Sequence, residues 1–200
     1  MSLGPVAPRP EPRELSPRTA QIVTEARELL ERGGPAAMTM RRIADRLAIR
    51  APSLYKHLPG KASLEALVIE SALFEIGDRL HGAVDRPGRR TPVAALLVAY
   101  RRHGLEHPNL YRLVTSSGFP SDQLLPGLEE WAGEPFYRVV GEPYAAQALW
   151  SFAHGTMILE LDDRFLAGSQ VDRTWAAGVE AFDGIARKAL RRAQGTKPER

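Results

Sequence analysis

The chain has 200 residues, 44% hydrophobic and 26% charged, enough apolar material for a real core, which excludes global disorder. It has no cysteine, which excludes disulfides, thiolate metal sites, a cysteine nucleophile and thiol redox sensing together. The net charge of +3 is uneven: residues 1–66 carry 11 basic and 7 acidic side chains, residues 67–185 carry 10 and 16, and residues 186–200 carry 6 and 1. A basic head on an acidic body points to a polyanion met by the head alone. The N-terminal residues contain no apolar run of signal-peptide length, and no stretch approaches the roughly 18 apolar residues of a spanning helix. The expectation is a soluble, cytoplasmic protein that does not use a membrane.

Met1–Pro17 holds five prolines and little to bury, so a mobile arm is expected over residues 1–16. Its Arg9 and Arg13, with Arg18 just beyond, have a second reading as side chains that reach into DNA beside the main site, behind that of an unstructured leader. A helix follows to Arg32, capped by Ser16 with Pro17 at its first position, and carries Ile22, Val23, Ala26, Leu29 and Leu30 on one stripe. Gly33-Gly34-Pro35 stops it.

Thr39–Lys61 then presents two short helix patterns, Met40–Leu47 and Ala51–His57, split by a break with Ile49 as its apolar plug. Helices this short are unstable alone, because nucleation is costly and each has one buried stripe. They need each other and the preceding helix, which is the logic of a helix-turn-helix. Six cations, Arg41, Arg42, Arg46, Arg50, Lys56 and Lys61, stand against Asp45 alone.

Beyond the turn Leu58-Pro59-Gly60, Lys61 opens a long helix through Ala83, roughly 30 Å at about 1.5 Å per residue. Further helices are expected over Pro92–His107, Asn109–Thr115, Leu124–Val140, Pro143–Phe165 and Asp172–Arg192, with a loop at Ser116–Gln123. Pro126, Gly133 and Pro135 should loosen or split the Leu124–Val140 segment. No strand alternation appears, so the fold class is all-α with about nine helices. The domain reading is a helix-turn-helix domain over 17–62, a helical body over 63–194 and a disordered tail over 195–200.

The Thr39–Lys61 segment resembles the DNA-binding signature of the TetR (tetracycline-repressor-like) family. It supplies Thr39, Ile43-Ala44, Ala48-Ile49, Leu54-Tyr55-Lys56-His57, Leu58 and Lys61 in the family's order. Three positions depart from it. Ala48 stands where glycine is usual, Arg50 where a serine-like cap often starts the second helix, and Leu58 where an aromatic is usual. Ala99–Leu113 with Ala148–Leu161 is similar to the subclass named for a Trp-His-Gly motif, here Trp150, His154 and Gly155.

The resemblance implies a DNA-contacting set of Thr39, Arg50, Ala51, Pro52, Ser53, Tyr55, Lys56, His57 and Lys61. Arg50 is the candidate to read guanine, against an equal reading as a phosphate contact. Tyr55 and His57 match positions that bond phosphates, and Thr39 and Lys61 sit at helix N-termini, which favour phosphate. The family's cavity among its middle helices implies a ligand pocket drawn from Phe74, Tyr100, His103, Tyr111, Trp131, Tyr137, Trp150 and His154. By base rate most aromatics, Phe119, Phe136 and Phe152 included, are core. The last two helices resemble a dimer seam, with Trp175, Gly178, Val179 and Phe182 as its candidates.

His103 and His107 have i, i+4 spacing around Glu106, but they abut Pro108, and a solvated helix end outweighs a metal site. No metal or cofactor is expected. The function implied is a homodimeric, sequence-specific DNA-binding regulator, a repressor released from a palindromic double-stranded operator by a small-molecule effector. An activator or ligand-independent regulator of the same fold is the alternative. An enzyme is a remote third, since no nucleophile–base pair, phosphate loop or metal constellation is present.

Overall fold

The computed structural model describes residues 8–116 and 121–195, with side chains as far as Arg192. The first seven residues of the expected arm, Phe119 with its loop neighbours, and the tail from Thr196 lie outside them. Nine α-helices and no strand occur among the described residues. They are α1 (Pro17–Gly33), α2 (Met40–Arg46), α3 (Ala51–Leu54), α4 (Lys61–Asp85), α5 (Pro92–Glu106), α6 (Pro108–Val114), α7 (Leu128–Val140), α8 (Pro143–Leu161) and α9 (Val171–Gly195). Short 3-10 turns cover Pro35–Ala37 and Ser121–Gln123. No helix among the described residues is long and apolar enough to cross a membrane.

The chain divides into two compact units. One comprises Pro8–Glu75 with Glu106–Glu129, the other Ile76–Leu105 with the described residues from Glu130 onward. The cut lies inside α4, whereas the sequence reading puts the domain boundary at residues 62–63.

In the first unit, Ser16 Oγ accepts the Thr19 N–H at 3.1 Å, so α1 starts on the expected cap. Gly34 ends it at φ 70°, donating its N–H to Leu30 O at 2.7 Å. The stripe Ile22, Val23, Ala26, Leu29 and Leu30 is buried, and α1 packs against α2 and α6. His107 is not a solvated helix end. Its Nδ1 lies 2.8 Å from Glu31 and its Nε2 3.3 Å from Glu75, half-buried between two carboxylates. Asn109 donates to Glu31 O at 3.0 Å, satisfying a carbonyl in the last turn of α1.

Nor are the described arm residues loose. Glu70 on α4 is only 4% exposed and accepts Arg13 Nε with both oxygens, at 3.0 and 3.1 Å. Arg13 Nη2 also donates to Gln123 O at 2.9 Å, and the Leu125 N–H donates to Glu70 at 2.8 Å. Arg9 lies over the Phe74 ring, 4.8 Å from its centroid. A buried carboxylate needs a cation, and the arm supplies it.

In the second unit α7 is one helix, running unbroken through Gly133 and Pro135 after a non-helical start at residues 124–127, the first of the two expected alternatives. Proline removes the N–H that would bond the carbonyl four residues back, at Trp131. His81 Nε2 lies 2.9 Å from that carbonyl and donates to it instead, with its ring stacked on Trp131 at 5.0 Å. Gly77 admits the same indole, since a Cβ there would stand 2.4 Å from it.

The next helix, α8, stops at Leu161, short of the expected Phe165. Asp163 turns left-handed (φ 50°), and the Asp163 and Arg164 N–H groups close onto the Glu160 and Leu159 carbonyls. Aspartate tolerates that conformation better than most residues, so this cap carries no glycine signal. Helices α8 and α9 pack together, with Gly178 seated on Phe152: a Cβ there would be 2.1 Å from the ring.

Glu134 of α7 is buried with both carboxylate oxygens free of hydrogen bonds, 3.6 Å from His81 Nδ1 and 3.8 Å from Arg138 Nε. Burial raises its pKa above the ordinary carboxylate value, against the opposing pull of Arg138. A raised folded-state pKa means that Glu134 costs stability above its unfolded pKa and not below it. Glu134→Gln is therefore expected to raise the unfolding midpoint at pH 7, by about 1 kcal/mol of stability, with the difference closing near pH 4. Paired thermal melts across that range check it.

Candidate nucleic-acid interface

The interface is built on α1, which braces α2 and through it α3. Thr39 Oγ1 accepts the Arg42 N–H at 3.3 Å, capping α2 as its sequence suggests. The chain leaves α2 through a Schellman turn. The Ala48 N–H bonds Asp45 O at 3.2 Å and the Ile49 N–H bonds Ala44 O at 3.0 Å. That motif requires a left-handed residue, and Ala48 takes it at φ 51°. The conformation costs an L-residue about 1–2 kcal/mol. Ala48→Gly is thus expected to stabilise the protein by about 0.5–1 kcal/mol, after the entropy glycine gains when unfolded, without changing DNA affinity. Thermal unfolding together with a DNA titration tests both halves.

Arg50 provides no side-chain cap, and α3 is a regular helix only over Ala51–Leu54, shorter than the expected Ala51–His57. The His57 and Leu58 N–H groups converge on Leu54 O at 2.9 and 3.0 Å, so Tyr55–His57 continue as a tight turn. Leu54 and Leu58 are fully or nearly fully buried and hold this turn against the core, with Ile49 half-buried in the break.

Around that anchor the remaining side chains face water. Arg50, Pro52, Lys56, His57 and Lys61 are exposed, Tyr55 is 55% exposed, and Thr39, Ala51 and Ser53 are half-buried. The nine residues expected to meet DNA therefore lie within two short helices, their turns and the start of α4. The positive charge that the Thr39–Lys61 segment leaves unpaired is smaller than the sequence count. Arg46 is turned back onto α1, bonded to Glu25 and, at 2.8 Å, to Glu28, so it braces α2. Lys61 makes an i, i+4 pair with Glu65 at 3.1 Å, a surface contact weak enough to yield to a phosphate. Arg41, Arg42, Arg50 and Lys56 make no ion pair among the described residues. Four such cations beside an exposed tyrosine on a braced short helix are suited to a phosphate backbone with base edges between.

The residues expected to line a ligand pocket are scattered between the two units. Phe74 and Tyr111 are buried in the first; Tyr100, His103 and Trp131 are buried in the second, where Tyr100 meets Phe136 edge-on at 5.6 Å. Tyr137 and His154 are half-buried, and Trp150 is 43% exposed with its ring stacked on His154 at 5.5 Å. Burial lowers the His154 pKa below the ordinary imidazole value. Trp175, Gly178 and Phe182 are covered by their own chain, through Phe152, and Val179 is half-buried. The exposed apolar residues of these helices instead include Ala148, Trp150 and Leu159 on α8, with Trp150 on the opposite side from the other two, and Ala177, Ala181 and Ile185 along one face of α9.

Comparison with known proteins agrees with this geometry. Residues 22–66 match the family described as bacterial regulatory proteins, tetR family, and residues 93–182 match the tetracyclin repressor-like C-terminal domain. An HTH-type transcriptional regulator of Saccharopolyspora erythraea is 34% identical over 88 residues, 44% of this chain and 36% of that protein, so the match spans about a third of that relative's length. A tetR-family transcriptional regulator from Streptomyces coelicolor superposes with a TM-score of 0.65 at 20% identity, over 91% of this chain and 93% of that one. BioQ bound to its double-stranded DNA operator superposes at 0.57 with 22% identity, over 86% and 99%. The chain belongs to the tetR family of bacterial regulatory proteins, a family of regulators and not of enzymes.

Proposed function

We propose that this protein is a homodimeric repressor that binds a palindromic operator through α3 and leaves it when a small molecule occupies the body. The observation that carries the DNA reading is the exposed set Arg50, Tyr55 and Lys56 on α3 and its flanking turns, beside Arg41 and Arg42, which make no ion pair among the described residues. BioQ, of the same fold, was solved with a double-stranded DNA operator, which supports this use of the head. A second copy would meet exposed apolar residues of α8 and α9, among them Trp150 and Ile185, which are otherwise left in water. Trp150, stacked on His154 and followed by Gly155, then forms part of that seam, in keeping with the Trp-His-Gly subclass.

Two-fold symmetry would set the two α3 segments in successive major grooves, about 34 Å apart. An effector that favours another separation lowers operator affinity by linkage. A TetR variant from Acinetobacter baumannii, solved in complex with minocycline, shares the fold (TM-score 0.56, 20% identity, over 89% of this chain and 98% of that one). That likeness supports a small organic molecule as the effector class.

Three substitutions test the roles. Tyr55→Phe and Lys61→Ala should weaken binding to operator and random duplex alike, by about 3–10-fold each, since both act on phosphates. Arg50→Ala should cost about 1–3 kcal/mol at one base pair and relax preference there. Fluorescence anisotropy on operator and single-base variants reads all three. Affinities equal to the parent's in every variant would sink the assignment.

A further inference from the structure

We propose that the open cleft between the end of α4 and α5 is a second anion site, one that takes a small phosphate-bearing organic molecule. The first observation is a segregation of charge. Residues 79–102 carry six arginines against Asp85 alone, whereas the rest of residues 67–185 carries four basic and fifteen acidic side chains. Such a cluster repels itself and persists in an acidic body only against other demands on the sequence.

The second observation is where those charges go. Arg101 is engaged by Glu160 and Asp172, both at 2.6 Å, and Asp85 by Arg138, also at 2.6 Å. Arg79, Arg86, Arg90 and Arg102 line one cleft of about 450 Å³, together with Ala83 and Val98. No acidic residue lines it, and Arg86 and Arg90 make no ion pair among the described residues. The turn between them is set by Gly88 at φ 65° and by the Arg90 N–H on Pro87 O at 3.2 Å, so the two arginines leave an ordered backbone.

The third observation is the apolar part of the lining: Val98, 46% exposed, and Ala83 put apolar surface among the arginines. A guanidinium fork matches phosphate oxygens two at a time, and the volume suits a nucleotide-sized ligand. A phosphate ester with a flat or aliphatic body uses both features; a bare inorganic anion uses one.

This site is independent of the DNA reading, and operator affinity serves as its folding control. Calorimetric titration of the full chain at low salt with adenosine diphosphate, pyrophosphate and citrate is expected to give saturable binding in that order of affinity. Arg86→Glu/Arg90→Glu should weaken adenosine diphosphate by at least about tenfold while leaving operator affinity within about twofold of the parent's. No saturable binding of either phosphate, unchanged binding in the double variant, or citrate binding as tightly as the diphosphate would each overturn it. So would a loss of duplex DNA binding of about tenfold in the variant, which would make the cleft a backbone contact.

Discussion

Arg13→Ala is expected to destabilise the protein by about 3 kcal/mol, an effect typical of a core substitution and far above that of a surface arginine. The asymmetry lies in the partner. Arg13 is 43% exposed in its side chain and rehydrates easily, but the Glu70 side chain is 6% exposed and loses the cation that both its oxygens engage. It would keep the Leu125 N–H alone. Glu70→Gln, which removes the charge and keeps an acceptor for that N–H, should cost about 1 kcal/mol. Adding Arg13→Ala to Glu70→Gln should then cost little more, because the stranded charge is gone. Urea unfolding of the four proteins measures the coupling. A cost below about 0.5 kcal/mol for Arg13→Ala would mean that the arm is free, as its proline content alone suggests.

The second large effect concerns His81 and Pro135. His81→Phe keeps an aromatic ring against Trp131 but removes the His81 donor from the Trp131 carbonyl, at about 1–3 kcal/mol. His81→Ala loses the stack as well, for about 2–4 kcal/mol. In a Pro135→Ala background the backbone N–H returns at position 135 and can close the normal i→i−4 bond on Trp131. The cost of His81→Phe should then fall by about 1 kcal/mol or more, a coupling that simple packing of His81 would not produce. Equal costs of His81→Phe in the two backgrounds would separate the imidazole from the proline-freed carbonyl.

These two sites also mark where sequence reading stops. The helix-turn-helix was legible because its signals are local: Ser16 and Thr39 as caps, Gly34 as a stop, and apolar spacing that puts Ile43, Ala44, Leu54 and Leu58 inside. Ala48 was legible as an anomaly, and its left-handed backbone is the reason. Glu70, His81 and His107 were not, because each meets a partner some fifty or more residues away. A periodicity scan sees a glutamate on an apolar helix and a histidine near a proline, and cannot see what faces them. Charge counting failed in the same way at Arg46, whose guanidinium belongs to α1 and not to DNA. The early end of α8 was hidden because Asp162-Asp163 makes a left-handed cap without glycine or proline.

Whether α3 and its flanking cations read a two-fold operator is decided by selecting duplexes from a random pool, once with the full chain and once with Arg50→Glu/Lys56→Glu. The parent is expected to enrich a palindrome-like sequence whose half-sites lie about one helical turn apart. The charge-reversed variant should enrich none and bind that sequence at least about a hundredfold more weakly. Enrichment of the same sequence by both proteins, or of no symmetric sequence by the parent, would contradict this use of the head.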